Sequence, residues 1–203
     1  MIALNRRRVA GGESLPYDSE IEYLESSGTQ YINLPFGFYN TDTVEIRGAM
    51  VQVWADNYVL TPSVWNDNNN RFGIMGTIND ECYFCVCYGN KSTYYSRFSR
   101  VWDNNVHLWT YANKTFTVAD LGLRLYVGTG WSFGRETKNL RLFYGYQKPT
   151  AHRVYYYKHT KKGVLVADLI PVRVGNVGYM YDRVSMQLYG NSGTGAFILG
   201  ADI

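Results

Sequence analysis

Three carboxylates near the start of the chain have the residue type and spacing that could support catalysis. Asp18, Glu20 and Glu22 alternate along the sequence, so an extended backbone would place all three on one face. Paired carboxylates on one face can serve as the nucleophile and the acid of a glycoside hydrolase. The opposite face carries Tyr17 and Ile21 and is typical of a core side, so we expect the acids to face solvent. The sequence therefore predicts no catalytic residue and a protein that is not an enzyme.

Metal-binding chemistry has two weak candidates. Asp67 and Asn69 lie in an asparagine-rich loop that offers oxygen ligands for calcium, but a single carboxylate disfavours tight binding. Cys82, Cys85 and Cys87 are close together, yet no second ligand cluster completes a zinc site, so they are interpreted as structural thiols. We predict no cofactor, with calcium as the alternative.

Aromatic residues provide the main binding signal, since the chain has 19 Tyr, 9 Phe and 5 Trp. Aromatic rings can stack on sugar rings, and three consecutive tyrosines at 155–157 must place rings on both faces of a strand. The alternative is that the aromatic side chains fill a core or an oligomer interface. The candidate glycan-binding residues are Trp54, Trp65, Trp102, Trp131, Tyr94, Tyr95, Tyr155 and Tyr157.

The N-terminal segment concentrates the net charge. Arg6, Arg7 and Arg8 account for the whole formal charge of +3, because the other 17 basic residues balance the 17 acidic ones. A neutral remainder argues against a nucleic-acid surface. Arginine forks bind carboxylates, and Ile2 and Leu4 can fill a groove, so residues 1–16 are interpreted as an extended arm that anchors the protein to a larger scaffold.

The rest of the chain, residues 17–203, reads as one β domain. Short segments rich in Tyr, Phe, Val and Thr recur every 8–12 residues or so between turn residues, which is typical of an antiparallel sandwich or barrel. Hairpins are predicted at Gly89-Asn90 and at Asn113-Lys114. No run of about 18 apolar residues predicts a membrane span. No secretory signal with an apolar stretch of about 7–15 residues is present.

The two ends of this domain carry family-like blocks. Near the start the chain reads YLESSGTQYI at residues 23–32, and near the end it reads GVLV at 163–166 and DLIPVR at 168–173. It continues with VGYMYD at 177–182 and LYGNSGTG at 188–195. These blocks resemble laminin-G-like, concanavalin A-like jelly-roll domains of gut bacteria and their Bacteroides-type phages. The resemblance implies an antiparallel jelly-roll β-sandwich over about residues 20–200, and it places residues 18–22 in an outer strand.

The closing block also has a direct physical interpretation. We expect Pro171 to end a strand, and Gly175 and Gly178 to permit a tight return. Asp182 is placed to accept backbone N–H groups from the loop that follows it. These residues are interpreted as architecture, with a ligand or ion at Asp182 and Asn191 as the alternative.

Fold alone does not fix function, and the resemblance leaves two main hypotheses open. In the first, the chain is a bacteriophage virion protein that decorates the head or tail, or forms part of a fibre. It is then made in the host cytoplasm, held by its arm to other virion proteins, homo-oligomeric, and able to bind cell-surface or mucus glycans. The alternative is a bacterial carbohydrate-binding lectin, and a second alternative is a glycoside hydrolase relative. The lack of a signal peptide favours the virion protein.

Overall fold

The expected all-β antiparallel fold is confirmed. A computed structural model describes the backbone of residues 14–39, 41–51, 70–76, 81–88, 91–99, 105–126, 139–145 and 148–203, and their side chains outside residues 70–99 and 125. Within these ranges the strands pair antiparallel, and a 3-10 turn at Ala119–Leu121 is the one helical element.

The strands of the described ranges vary from 2 to 11 residues in length and are numbered here in chain order. They are β1 (Ser19–Glu20), β2 (Leu24–Glu25), β3 (Ile32–Asn33), β4 (Thr43–Met50), β5 (Asn70–Gly76), β6 (Glu81–Tyr88), β7 (Lys91–Ser99), β8 (His107–Ala112), β9 (Thr115–Val118), β10 (Leu123–Tyr126), β11 (Arg141–Leu142), β12 (His152–Lys161), β13 (Val164–Val174), β14 (Val177–Asp182), β15 (Gln187–Tyr189) and β16 (Ile198–Leu199).

Both predicted hairpins are confirmed. β6 pairs with β7, and β8 pairs with β9 across Asn113 and Lys114. These two turn residues have φ values of 48° and 57°, the left-handed conformation that a two-residue hairpin turn requires.

One large sheet organises the described residues, in the order β10-β9-β8-β4-β12-β13-β14-β15. Side chains alternate across it: His107, Trp109 and Tyr111 of β8 are buried, and the residues between them are half-buried. The buried face packs against β3, β11 and their flanking loops, which contribute Leu34 and Phe143 among others to the main core. The core therefore lies on one face of this main sheet, as expected for a sandwich.

The main sheet forks between β12 and β13. These strands pair only from Tyr157 with Leu169 to Lys161 with Val164. Beyond that point β12 pairs with β2, while β13 pairs with β1. The fork separates the sheet into two branches that share the β12–β13 hairpin.

The fork explains why the expectation for Pro171 was wrong. Pro171 does not end a strand but lies inside β13, opposite Met180 of β14. Its carbonyl accepts the Ile21 N–H at 3.1 Å, so its nitrogen faces the same side, towards the fork. A missing N–H is tolerated there because pairing passes from β12 to β1 at this point. Of the two glycines, Gly175 forms the turn with a φ of 59°, whereas Gly178 lies within β14.

The two family-like end blocks meet in space. Thr29 and Thr194 exchange two hydrogen bonds, from the Thr194 N–H to the Thr29 carbonyl at 3.1 Å and from the Thr29 hydroxyl to the Thr194 carbonyl at 3.0 Å. The Gln30 amide donates to the Ala196 carbonyl at 3.0 Å, and the Asn191 side chain accepts the Tyr31 N–H at 3.2 Å. We call residues 26–31 together with 191–196 the end clasp. Its contacts support the architectural interpretation of these motifs.

A second, smaller core lies on the other side of β13 and β14. Tyr17 packs there on Ile170, Val172 and Tyr181, with the Tyr17 and Tyr181 rings 4.9 Å apart. Leu15 packs against the same cluster. The segment that follows residue 13 is therefore fixed to the sandwich from its first described residues.

Candidate functional site

The sequence-predicted site residues fall into three groups in the structure. Tyr155 and Tyr157 lie in β12, and Tyr94 and Tyr95 lie in β7, where the description covers the backbone only. The remaining predicted residues lie outside the described residues, and these are Ile2, Leu4, Arg6, Arg7, Arg8, Trp54, Trp65, Trp102, Trp131, Asp67 and Asn69.

The three consecutive tyrosines divide between the two faces of the main sheet. Tyr157 points into the core and is fully buried, so it cannot contact a glycan, and its prediction as a binding residue is corrected. Tyr155 and Tyr156 are both half-buried on the outer face. The register between β12 and β4 shifts between Val154 and Tyr156, and such a bulge lets two successive side chains leave the core together.

Tyr155 belongs to a continuous row of aromatic and guanidinium groups on this outer face. Its ring centre lies 5.6 Å from that of Tyr23, which precedes β2. The Arg47 guanidinium of β4 stands 5.6 Å from the centre of the Tyr155 ring, and the Arg153 guanidinium stands 4.1 Å from that of Tyr23. We call Tyr23, Arg47, Arg153, Tyr155 and Tyr156 the tyrosine–arginine face.

Acidic neighbours fix the orientation of this row. Glu25 accepts hydrogen bonds from Arg153, with its Oε2 atom 2.6 Å from Nη2 and 2.8 Å from Nε. Burial of the guanidinium alone would lower the pKa of Arg153, but its hydrogen bonds to Glu25 and Tyr155 raise it. Burial, followed by the hydrogen bond and charge of Glu45, raises the pKa of Tyr156 to about 12. Tyr156 therefore stays neutral and Arg153 stays charged at physiological pH.

This arrangement provides the groups that recognise a polyhydroxylated ligand. The half-buried tyrosine rings offer apolar faces with polar hydroxyl edges, and the guanidinium groups offer several fixed N–H donors. Arg47 is exposed, and the carboxylate of the half-buried Glu45 can accept hydroxyl hydrogens. The face lies on strands, which hold binding groups more firmly than loops do.

Sequence reasoning found Tyr155 but missed Tyr23, Arg47 and Arg153. These residues belong to three different segments, and only the pairing of β12 with both β2 and β4 brings them together. The sequence did carry one signal for this face: polar residues alternate with buried ones along β4, and this alternation marks a solvent-facing surface.

A buried polar chain occupies the core side of β12. His159 Nε2 lies 2.9 Å from Asp42 Oδ2, and the Tyr157 hydroxyl lies 2.9 Å from His159 Nδ1. Asp42 Oδ2 also accepts the Tyr39 N–H at 2.8 Å. His159 and Tyr157 are fully buried, so no substrate can reach either ring. The chain fixes the 39–42 loop to β12 and fully satisfies the histidine.

The three carboxylates near the start of the chain are held separately. Asp18 accepts the Gly175 N–H at 2.7 Å. Glu20 accepts the Tyr17 hydroxyl at 3.1 Å and contacts Arg183 at 3.4 Å. Glu22 is exposed. Two of these acids are thus tied to neighbouring residues, and among the described residues the segment pairs with β13 and with residues 201–203.

Asp182 accepts hydrogen bonds as predicted. Its Oδ1 atom accepts the Val184 N–H at 3.0 Å and the Asp168 N–H at 2.9 Å, and its Oδ2 atom accepts the Ser185 hydroxyl at 2.7 Å. Among the side chains that the structure describes, no group of three or more His, Cys, Asp or Glu residues is arranged to hold a metal ion.

Comparison with known proteins adds no relative. No family model matches the chain, and no curated protein matches it. Within the described ranges, no helix has the length and apolar character needed to cross a membrane.

Proposed function

We propose that this protein is a non-enzymatic accessory protein of a bacteriophage virion that displays a glycan-binding β-sandwich. The observation that carries the proposal is the tyrosine–arginine face. It sets aromatic rings and charged hydrogen-bonding groups side by side on the outer face of the main sheet, away from the core.

A glycan suits this face for physical reasons. A pyranose ring has an apolar C–H face that packs on a tyrosine ring, while its hydroxyls exchange hydrogen bonds with arginine and glutamate. Among the described residues the face is a row of half-buried rings beside the exposed Arg47, which suits an extended chain of sugars better than a compact cofactor. Each sugar contact is weak, and a homo-oligomer on a particle would multiply it through avidity.

The placement on a virion, at the head or tail, rests on the resemblance of the two end blocks to domains of gut bacteria and their phages. The anchoring role rests on the composition of the arm, with Ile2 and Leu4 as apolar contacts and Arg6, Arg7 and Arg8 as carboxylate-binding groups. The attachment of Leu15 and Tyr17 to the second core supports this role, because a fixed root lets the arm hold the sandwich at a defined position.

Replacing Tyr155 by alanine is expected to weaken glycan binding at least about tenfold, since removal of a central aromatic anchor typically costs 2 kcal/mol or more. Binding is measured on an array of bacterial-surface and mucus glycans, then by titration of the best ligand. Tyr126→Ala is the matched control, because Tyr126 is 55% exposed at the far edge of the main sheet. If wild type, Tyr155→Ala and Tyr126→Ala bind equally, or if none binds any glycan, the proposed function is wrong.

Deleting residues 1–12 is expected to abolish incorporation of the protein into particles while leaving the sandwich folded. A second variant, with Arg6, Arg7 and Arg8 replaced by serine, separates the charge from the length of the arm. Incorporation is measured by mass spectrometry of purified particles, and folding by circular dichroism. Normal incorporation of both variants contradicts an anchoring arm.

A further inference from the structure

Two of the cations on the outer face of the main sheet have acidic neighbours. The Arg153 guanidinium is paired with the Glu25 carboxylate, whose Oε2 atom lies 2.6 Å from Nη2. The exposed Lys158 of β12 lies directly opposite Glu45 of β4 on one side and opposite Asp168 of β13 on the other. Each of these two cations therefore has a negative charge beside it.

Arg47 differs from both, because its cross-strand neighbours carry no charge. It lies on β4 opposite Leu108 of β8 and opposite Tyr156 of β12. Its side chain is exposed and, among the side chains that the structure describes, no carboxylate lies within ion-pair distance of its guanidinium. The guanidinium instead stands over the Tyr155 ring, 5.6 Å from the ring centre.

Two acids of the surrounding segments are already engaged elsewhere. Glu45, two residues before Arg47, accepts a hydrogen bond from the Tyr156 hydroxyl. Asp120, in the turn after β9, is paired with His107. An exposed guanidinium without such a partner is available to an anionic ligand, and its fork of N–H donors fits a carboxylate.

The position of Arg47 joins this unpaired charge to the sugar-stacking part of the face. A guanidinium within about 6 Å of a ring centre interacts with the ring itself, so Arg47 and Tyr155 form one recognition unit. In a uronic acid the carboxylate is bonded directly to a carbon of the pyranose ring. A ring that packs on Tyr155 therefore carries its carboxylate at the ring edge, where Arg47 can bind it.

We propose that the tyrosine–arginine face binds an acidic glycan, a chain of sugars that carry carboxylates such as uronic acids, and that Arg47 selects for the charge. The inference rests on the proposed function and names its ligand class. The pyranose ring packs on Tyr155, the carboxylate pairs with Arg47, and a sugar hydroxyl donates to Glu45. A neutral glycan packs on the same ring but leaves Arg47 without a counter-charge, so it binds more weakly.

The test is an NMR titration of the whole chain with trigalacturonate and, in parallel, with its fully methyl-esterified form. The two trisaccharides share the same sugar rings, and esterification removes the negative charges. We expect trigalacturonate to bind at least about tenfold more tightly, because a hydrogen-bonded ion pair is stronger than the contact of a guanidinium with a neutral ester. Equal or weaker binding of trigalacturonate, or no binding of it at all, overturns the inference.

Arg47→Gln supplies the second arm of the test. The change removes the charge and keeps a hydrogen-bond donor, so it is expected to weaken trigalacturonate binding at least about tenfold and to bring the two ligands to similar affinity. Arg124→Gln is the matched control, because Arg124 is exposed on β10, which β8 and β9 separate from β4, and this variant is expected to bind like wild type. An unchanged preference in Arg47→Gln, or equal losses in both variants, contradicts selection by Arg47.

Tyr155→Ala keeps the outcomes of the two proposals apart. It is expected to weaken binding of both trisaccharides, because it removes the ring contact that they share. If Tyr155→Ala weakens both ligands while wild type binds them equally, the proposed function stands and the selection for charge is wrong. If Tyr155→Ala binds trigalacturonate as tightly as wild type, the ligand lies elsewhere and both proposals are wrong.

Discussion

Acidification from pH 7 to pH 4 is expected to lower the free energy of unfolding by about 3 kcal/mol through a single side chain, His152. Burial lowers the pKa of this histidine from 6.5 to about 3. The folded protein therefore keeps it neutral at a pH where the unfolded chain binds a proton. The loss begins near pH 6.5, grows as the pH falls and levels off near pH 3, because below that value both states are protonated.

The surroundings of His152 explain why it cannot charge in place. Its ring stacks on Phe143 with centres 4.7 Å apart, and its Nδ1 atom lies 3.0 Å from the Thr150 hydroxyl. Its Nε2 atom is buried and has no hydrogen-bond partner within the part of the chain that the structure describes. An imidazolium ion here would lose its hydration without gaining a counter-ion.

The measurement is urea unfolding at a series of pH values between 4 and 7 for wild type and His152→Asn. Asparagine retains a polar group near Thr150 but does not titrate. The variant is expected to be less stable at pH 7 yet to lose about 3 kcal/mol less than wild type on going to pH 4. Parallel pH profiles for the two proteins would show that His152 is not the responsible group.

The second large effect is expected in the end clasp, where Gly193→Ala should destabilise the fold by about 3 kcal/mol. A Cβ atom at Gly193 would lie 2.2 Å from the carbonyl oxygen of Thr29. This oxygen is backbone and accepts the Thr194 N–H, so it cannot move away without breaking the clasp. The glycine is thus required by close approach of two segments.

Gly190→Ala is the matched control, because Gly190 lies three residues before Gly193 in the same loop. Its Cβ would meet only the ring edge of Tyr179, at 3.0 Å, and that half-buried side chain can shift. We expect a loss below about 1 kcal/mol, measured by the same urea unfolding. A Gly193→Ala variant as stable as Gly190→Ala would refute the clasp as a structural constraint.

Local patterns sufficed for parts of the fold that depend on neighbouring residues. The Asn113-Lys114 turn was predictable because Asn tolerates the left-handed conformation of a hairpin turn, and β8 and β9 alternate on either side of it. The position of Tyr155 on a surface and of Tyr157 in the core was not predictable. Simple alternation puts these two on one face, and the bulge that separates them arises from the register of β12 with β4.

The other misses share this cause. Pro171 was expected to end a strand because it lacks an N–H. It is tolerated inside β13 because the main sheet forks there, and the fork depends on β1 and β2, which lie more than 140 residues earlier in the sequence. In the pairing of β1 with β13, Glu20 lies opposite Val172. The tyrosine–arginine face likewise combines three segments that are far apart along the chain. A single sequence records the types of these residues but not which of them become neighbours.

The separation of paired segments also has a consequence for folding during synthesis. β12 holds the centre of the main sheet, and the end clasp joins residues 165 positions apart, from Thr29 to Thr194. A nascent chain cannot complete the main sheet until β12 has left the ribosome, and it cannot close the end clasp until Thr194 has emerged. Contacts of such high contact order form slowly. Until then, the edge of β4 that will receive β12 stays open and can pair with another chain, so this edge is a risk for aggregation during synthesis.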